Sequence, residues 1–339
     1  MKFQIPRKNP IIILSNEGKE GREEQKVSPE HFMKNIRSVK RARGHLKNDN
    51  FAAALFLLPC LCGFLIFVVF PVVFSLGLSF TEWNFLSGFR GIRFVGADNF
   101  IKLFSFKDLW FKDSMINTVV FALVTVPVGL ALGLVMAVLI NKYVYCSTLF
   151  KVTVFIPYIC SIVASAVVWM VVFQPSYGPV NSFLKSFGID NPPGWFVDSK
   201  WAFPTIMIFQ IWQTIGYNSI VFMSGLKSIS TELYEAATID GATELQKFRY
   251  VTIPMISPTT FFLSTMGIIG SFKVFDCIKV ITGGGPGRAT SVIAFYIYRE
   301  AFEFYRMGTA NAAAWVMFIF IFAITMIQMR QQKKWVTYD

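Results

Sequence analysis

The most informative stretch of this chain reads Glu235-Ala236-Ala237-Thr238-Ile239-Asp240-Gly241-Ala242 and closes at Val251-Thr252-Ile253-Pro254. It lies between two long apolar stretches. Ser230 can cap the first turn of a helix here, and Gly241 offers the left-handed backbone position that ends one. The stretch therefore predicts a helix that begins just after Ser230 and stops at a glycine.

A second helix is expected to follow in the same segment. Thr243 and Gln246 have the spacing of a capping box, and Pro254 is expected to end the helix that this box opens. Two alanines leave a flat face on the first helix. Its edges and the start of the second helix are acidic, with Glu232, Glu235, Asp240 and Glu244. The sequence thus predicts a helical hairpin whose surface fits the groove of a partner protein.

This pattern resembles the EAA loop in the membrane subunits of binding-protein-dependent ABC importers. That loop reads roughly Glu-Ala-Ala, three residues, Gly, nine residues, then an aliphatic residue, any residue, Leu and Pro. Here Val251 and Ile253 replace the more usual Ile and Leu. The resemblance implies a coupling helix that docks on an ATP-binding subunit through Glu235, Ala236, Ala237, Asp240, Gly241 and Ala242. The alternative is an amphipathic loop with no partner, because Glu-Ala-Ala alone is common by chance.

The composition places the chain in a lipid bilayer. Of its 339 residues, 54% are apolar and only 15% are charged. Six stretches are apolar over the length of about 20 residues that a membrane helix needs, and only the fifth carries charges, near its end. These stretches are 54–79, 115–140, 152–174, 202–226, 255–280 and 309–329. We therefore expect an all-α integral membrane protein with six transmembrane helices.

Lysine and arginine predict the orientation of these helices. With six spans, both termini lie on one side of the membrane. The termini and the two loops on their side hold 20 of these cations, against 10 in the loops on the other side. Because cytoplasmic segments carry the excess of positive charge, both termini and the EAA-like loop are expected to face the cytoplasm.

The basic tail at 1–50 holds much of the formal net charge of +12. Phe32, Ile36 and Val39 share one helical face with basic residues opposite them, which is typical of a helix on an anionic lipid surface. A disordered basic tether is the alternative, and neither indicates nucleic acid. The tail has no apolar core long enough for a cleaved signal peptide, so the first span is expected to act as an uncleaved signal-anchor.

No histidine lies in the predicted spans, and the cysteines in or beside them lack a catalytic or metal-binding spacing. Both histidines, His31 and His45, lie in the tail, and the five cysteines have neither redox nor zinc spacing. The stretch 283–290 is rich in glycine but lacks the Gly-Lys-Ser/Thr ending of a phosphate loop. We therefore expect no catalytic residues and no metal site in this chain.

Three further segments look like the signature of carbohydrate ABC permeases, and more like the maltose-type F subunit than its G partner. They read Phe272-Lys273-Val274-Phe275-Asp276, Thr282-Gly283-Gly284-Gly285-Pro286 and Tyr296-Ile297-Tyr298-Arg299-Glu300-Ala301-Phe302. The resemblance covers roughly 51–330 and implies the five-helix core of a type I importer permease. One span rather than three precedes that core, so the chain looks closer to shorter six-span members, and maltose is not implied.

This resemblance implies three regions. A basic cytoplasmic tail occupies 1–50, and a first transmembrane helix with an outer loop occupies 51–110. The permease core occupies 111–339, with the cytoplasmic EAA coupling loop at 227–258.

A sugar path needs polar groups and aromatic rings that face water inside the protein. On the fourth span, Gln210, Gln213 and Tyr217 recur at helical spacing, with Trp212 and Asn218 beside them. We expect these five residues to line the substrate path. The alternative is ordinary hydrogen bonding between helices, which polar residues in membrane spans often provide.

Lys273 and Asp276 are the charges inside the fifth span. Three residues apart, they are expected to be neighbours on one helix face near the outer mouth. Charges within a span are costly and suggest function, so contact with substrate is one interpretation. A locally structural ion pair is the other.

Together these features predict a permease subunit of an ATP-driven importer for a sugar or oligosaccharide, working by alternating access in the prokaryotic cytoplasmic (inner) membrane. The implied partners are a second homologous permease, two ATP-binding subunits, an extracytoplasmic solute-binding protein, the carbohydrate and the lipid bilayer. ATP and Mg would be bound by the ATP-binding subunits, so this chain is expected to hold no cofactor and to be no enzyme alone.

Other transport functions remain open at this point. An ABC importer for a non-sugar solute such as glycerol-phosphate would share the coupling loop, whereas peptide or amino acid importers would lack the glycine signature. An ion-coupled secondary transporter would need buried acidic or histidine relays and would run without ATP. A membrane enzyme would need a nucleophile–base set or a metal cluster.

Overall fold

A computed structural model describes residues 46–143 and 147–336 of the chain. The basic tail up to residue 45, with its predicted interfacial helix, lies outside the described residues. So do residues 144–146, which include Cys146, and the last three residues.

The described residues are almost entirely helical. Their α-helices are α1 (Leu46–Phe64), α2 (Phe70–Ser79), α3 (Asp98–Phe104), α4 (Leu109–Tyr143), α5 (Ser147–Ile159), α6 (Ile162–Val172), α7 (Pro179–Ser186), α8 (Ala202–Ser228), α9 (Thr231–Ile239), α10 (Glu244–Lys247), α11 (Ile253–Met255), α12 (Ser257–Phe272), α13 (Asp276–Ile281), α14 (Ile293–Tyr298) and α15 (Met307–Trp335). Short π-helical segments occupy Leu65–Val69, Phe248–Thr252 and Arg299–Glu303, and 3-10 turns occupy Phe85–Ser87, Phe89–Gly91 and Trp195–Val197. Two strands, β1 (Thr81–Glu82) and β2 (Arg93–Phe94), pair antiparallel with Thr81 opposite Phe94.

The chain divides into two compact units, 1–73 and 74–339. Within the first unit, none of the described side chains from 53 to 73 is buried. An apolar helix with no buried side chain is suited to a lipid environment rather than to a water-soluble core.

The core of the second unit forms around α4 and α8, which pack along each other and against α5 and α12. One buried cluster joins Phe121 of α4 to Ile206 and Phe209 of α8, with Cys277 and Ile278 of α13. Two further apolar clusters extend this core. One includes Ile140, Phe222 and Leu263, and the other includes Leu103, Phe111, Tyr296 and Val316.

The number of membrane spans remains a prediction. By length and composition, three helices in the described part of the chain could cross a bilayer: Ala53–Ser79, Leu109–Asn141 and Met307–Trp335. The number becomes five if each of two sharply bent helix pairs is one span. The helix α8 has 27 residues, but its polar side chains lower its mean hydropathy.

Two bends shape the predicted third and fifth spans. The third breaks between Thr148–Ile159 and Ile162–Val172 with a bend of 95°. The other bend, of 62°, separates Glu244–Met255 from Ser257–Phe272. The expectation that Pro254 ends the second helix of the hairpin is wrong by two residues, because the helical run continues through Pro254 and breaks at Ile256. Pro258 explains this position, since its ring clashes with the carbonyl four residues earlier.

Candidate functional site

The hairpin forms as its sequence predicts. The Ser230 side chain caps α9 by accepting from the Glu232 N–H at 3.2 Å. At the other end, Gly241 has φ of +76°, and the Ala242 N–H donates to the Ala237 carbonyl at 2.9 Å. With the Gly241 N–H bonded to Thr238 O at 3.0 Å, this is a Schellman motif, which favours glycine because the left-handed conformation is strained for side chains.

The second half of the hairpin is also fixed locally. Thr243 and Gln246 form a full capping box, with the Thr243 N–H donating to Gln246 Oε1 at 2.7 Å. At the base, the hydroxyls of Tyr234 and Thr252 lie 2.9 Å apart and share a hydrogen bond. The hairpin is therefore held in shape by its own hydrogen bonds.

The predicted coupling residues divide between the outer and inner sides of this hairpin. Glu235, Ala236, Asp240 and Gly241 are exposed, whereas Ala237 and Ala242 are half-buried. Ile239, which the sequence interpretation did not select, is 87% exposed, and Leu245 is 75% exposed. The helical spacing of Ala236 and Ile239, three residues apart, could have identified this apolar tip.

The predicted path residues on α8 contact different neighbours. Gln213 is buried, with 6% of its surface exposed. Tyr217 is half-buried and stacks on Tyr158 of α5, with ring centroids 4.8 Å apart and an interplanar angle of 20°. Gln210 Oε1 lies 4.0 Å from the Cys277 thiol. Tyr217 therefore contacts α5 and Gln210 lies beside α13, so these two side chains do not share one contact.

Tyr158 was missed by the sequence interpretation, although Pro157 before it hinted at a helix end. The helix α5 ends at Ile159, and the chain bends by 95° before α6. Tyr158 is 43% exposed, and Cys160 and Ser161 at the break are exposed too. Irregular backbone at membrane depth is tolerated only where protein covers it or where it lines a water-filled cavity. If the break lies at membrane depth, its exposed backbone is therefore expected to be covered by protein or to line water.

The other two aromatic and polar residues of α8 serve packing within the chain. Asn218 Nδ2 donates to the Gly129 carbonyl of α4 at 3.2 Å, which is the helix-to-helix bonding weighed above. Trp212 is partly exposed, and its ring lies 5.3 Å from Trp169 of α6. Gly216 lets α8 approach α5 closely, since a Cβ there would strike the Val154 carbonyl.

The expectation that Lys273 and Asp276 share one helix face is wrong. The helix α12 ends at Phe272, and Asp276 begins the separate helix α13. The Phe275 backbone between them is not helical, with φ of −143°. Both side chains are exposed, and the described part of the chain shows no ion pair between them. Their predicted contact with substrate stays a prediction for each residue separately.

The glycine-rich segment is clamped to the start of α4. Asn117 Nδ2 donates to the carbonyls of Arg288, Ala289 and Ser291 at 3.2, 3.2 and 2.9 Å. Arg288 also pairs with Asp113 at 2.6 Å. One face of α4 thus fixes the position of this loop.

A buried carboxylate lies in the following segment. Glu300 is 4% exposed, and Arg306 Nε lies 3.3 Å from its Oε2. Burial raises the pKa of Glu300, while the positive charges of Arg306 and Arg299 oppose this rise. Among the described residues, no cluster of three His, Cys, Asp or Glu side chains could hold a metal ion.

Comparison with known proteins agrees with this architecture. Residues 111–337 match the family described as the binding-protein-dependent transport system inner membrane component. This range begins within α4 and includes the whole hairpin.

Two relatives and one solved structure illustrate the similarity. The lactose transport system permease protein LacF of Rhizobium radiobacter is 32% identical over 282 residues, 82% of this chain and 91% of that protein. The sn-glycerol-3-phosphate transport system permease protein UgpA of Yersinia enterocolitica is 32% identical over 248 residues, 73% of this chain and 83% of that protein.

The solved structure is a bacterial alginate ABC transporter in complex with an alginate pentasaccharide-bound periplasmic protein. One of its chains is 27% identical, with a TM-score of 0.73, and the match covers 86% of this chain and 96% of that one. From the capped hairpin, the helical core and these matches, the chain belongs to the binding-protein-dependent transport system inner membrane components, the integral membrane permease subunits of ABC importers.

Proposed function

We propose that this permease imports a sugar or oligosaccharide through a path shared with a second homologous permease. An extracytoplasmic solute-binding protein delivers the substrate. Two ATP-binding subunits bind ATP and Mg and drive alternating access. One of them docks on the hairpin between Ser230 and Lys247, and the other docks on the second permease. Both termini and the hairpin face the cytoplasm in this arrangement.

One observation carries the choice of substrate class. Tyr158 and Tyr217 form a stacked aromatic pair beside the broken third span, with Gln213 one helical turn from Tyr217. Aromatic faces suit the C–H surface of a sugar ring, while an amide side chain matches its hydroxyls. The exposure of Tyr158 supports a place for this pair on the path rather than in the core of the chain.

The matches favour the same class. One relative is named for lactose transport, and the solved transporter holds a bound acidic oligosaccharide on its periplasmic protein. The alternative of an ion-coupled secondary transporter is set aside, because the family is one of binding-protein-dependent transport systems.

A phosphorylated small solute is the second candidate. The relative named for sn-glycerol 3-phosphate has the same identity to this chain as the lactose relative. A phosphate group would need a cation on the path, and exposed Lys273, just beyond the end of α12, is available for this role.

The test uses the complex reconstituted in vesicles with its binding protein. Tyr217→Ala and Tyr158→Ala are each expected to reduce sugar uptake by up to about tenfold, because a stacked aromatic contact contributes about 0.5–1.5 kcal/mol. Tyr217→Phe should retain most uptake. Phe318→Ala is the matched control, since Phe318 also stacks on a ring, that of Phe322 in α15.

Two outcomes would contradict the proposal. Uptake in both alanine variants equal to that of Phe318→Ala would place the path elsewhere. Uptake of sn-glycerol 3-phosphate but of no sugar, with loss on Lys273→Ala, would establish the second candidate instead.

A further inference from the structure

A short loop near the end of α2 combines aromatic and basic residues. It reads Phe85-Leu86-Ser87-Gly88-Phe89-Arg90-Gly91-Ile92-Arg93-Phe94, and we name it the aromatic–arginine loop. Between Glu82 and Asp98 the sequence contains no acidic residue. Arg90 and Arg93 are exposed, and neither forms an ion pair with any residue that the structure describes. Arg93 stands opposite Glu82 in the strand pair, so Arg90 is the charge of this loop that has no acidic residue across the strands or beside it in the sequence.

The large apolar side chains of this loop are also unusually exposed. Phe89 and Phe94 are 74% and 76% exposed, and Leu86 and Phe85 follow at 70% and 54%. Phe89 rests one face on Trp83, with ring centroids 5.7 Å apart. Such a patch costs free energy in water, so it indicates a surface that meets another phase or another molecule.

Backbone contacts fix where this loop lies. It follows directly on α2, which ends at Ser79 within the predicted first span. The Met307 N–H donates to the Trp83 carbonyl at 2.9 Å, and the Phe85 N–H donates to the Tyr305 carbonyl at 3.1 Å. Met307 is the first residue of another candidate span. The loop is thus held between the end of one candidate span and the start of another.

The loop is also held rigidly in this position. Trp83 Nε1 donates to the Gly88 carbonyl at 2.9 Å. The Asn84 side chain accepts from the Leu86 N–H at 2.9 Å, and the two strands pair on either side. The phenylalanines are therefore presented without the ordering cost of a flexible loop.

We propose that the aromatic–arginine loop is an interfacial anchor that inserts its phenylalanine rings among lipid headgroups and binds anionic phospholipid through Arg90 and Arg93. Aromatic rings concentrate at membrane–water interfaces, and apolar side chains beside basic ones bind anionic lipid surfaces. The charge of Arg90, which forms no ion pair with the described residues, and the position between two candidate span ends favour lipid over a protein occupant. This lipid-binding role goes beyond the proposed transport function. Only the assignment of the loop to the outer leaflet of the membrane rests on the proposed topology.

The first test measures which phase surrounds Phe89. An environment-sensitive fluorophore is attached to Phe89→Cys in a cysteine-free form of the full chain, assembled with its partners in phosphatidylcholine–phosphatidylglycerol nanodiscs. We expect quenching by lipids with a spin label near the headgroup and shielding from aqueous iodide. Lys200→Cys, an exposed position in another connecting segment, is the control and should be quenched by iodide.

Either of two results would overturn the anchor. Iodide quenching at Phe89 equal to that at Lys200 would place the ring in water. Shielding from iodide without quenching by the spin-labelled lipid would mean that a protein, either the second permease or the binding protein, covers the loop.

The second test concerns the charges. The double variant Arg90→Gln/Arg93→Gln should raise the dissociation constant for phosphatidylglycerol, measured by native mass spectrometry, by about fivefold per arginine. Lys185→Gln is the control, because Lys185 is exposed on α7. A constant unchanged in the double variant would overturn the binding of anionic lipid.

Discussion

Substitutions of Gly241 test the hairpin in graded steps, because a side chain at this position strains the backbone but does not clash with neighbouring atoms. Its φ of +76° lies in the left-handed region, yet a Cβ there would meet no atom within 4 Å. Substitution therefore strains the backbone without any clash inside the chain. An L-residue in this conformation costs about 1–2 kcal/mol, which lowers the population of the native turn about 5- to 30-fold.

The expected order follows from this backbone cost. Gly241→Asn should have the mildest effect on coupling, because asparagine tolerates the left-handed conformation. Gly241→Ala should have an intermediate effect, and Gly241→Val should have the most severe one. The assay is ATP hydrolysis by the reconstituted complex, stimulated by the binding protein, together with substrate uptake. Gly77→Ala is the control, since Gly77 lies within α2 and also has open space around its Cβ position.

The outcome can refute this reasoning directly. We expect membrane insertion to be normal in all variants, with stimulation and uptake falling in the order given. If Gly241→Val retains the stimulation and uptake of Gly77→Ala, the turn geometry of the hairpin does not matter for coupling.

Three further predictions address the membrane topology, the two charged residues Lys273 and Asp276, and the buried carboxylate of Glu300. A cysteine at Lys200 should react with an impermeant reagent in intact cells and one at Thr243 only after permeabilisation; labelling of Thr243 in intact cells would reverse the orientation. Because Lys273 lies just beyond the end of α12 and Asp276 begins α13, the swap Lys273→Asp/Asp276→Lys should show no mutual rescue, and the effects of the two substitutions on stability should add within about 0.5 kcal/mol; recovery in the double variant would disprove their independence. The raised pKa of Glu300 means that the folded state favours the protonated form of this carboxyl. The stability that Glu300 contributes is therefore fully present below the ordinary carboxyl pKa, and it is lost as the pH rises through the folded-state pKa. Glu300→Gln should therefore raise the Tm of the purified complex most at alkaline pH, and an advantage confined to acidic pH would contradict the assigned cause.

Local sequence rules were sufficient for the hairpin. Ser230, Gly241 and the Thr243–Gln246 box each act within a few residues, so their hydrogen bonds could be predicted from spacing alone. The helical class and the family could also be predicted, because the length of the apolar stretches and the spacing of the EAA-like motif can be read directly from the sequence.

The bends and helix ends inside the membrane could not be predicted in the same way. No proline or glycine stands at Phe272 or Lys273, where α12 ends, so the packing of α13 against its neighbours sets that end. Pro157 signalled a disturbance of the third span, but not the 95° bend or the stacking of Tyr158 on Tyr217. These features depend on contacts between segments that are distant in sequence.

The central claim is that the hairpin docks on an ATP-binding subunit, and Ile239 is the position from which to test it. A photo-crosslinking amino acid replaces Ile239, the most exposed apolar side chain of the hairpin, in cells that express the complete transport system. Illumination followed by mass spectrometry identifies the molecule that it touches. The account predicts a crosslink to the ATP-binding subunit, absent when the same amino acid replaces Lys200. A crosslink to the extracytoplasmic binding protein, or no crosslink to any ATP-binding subunit, would contradict it.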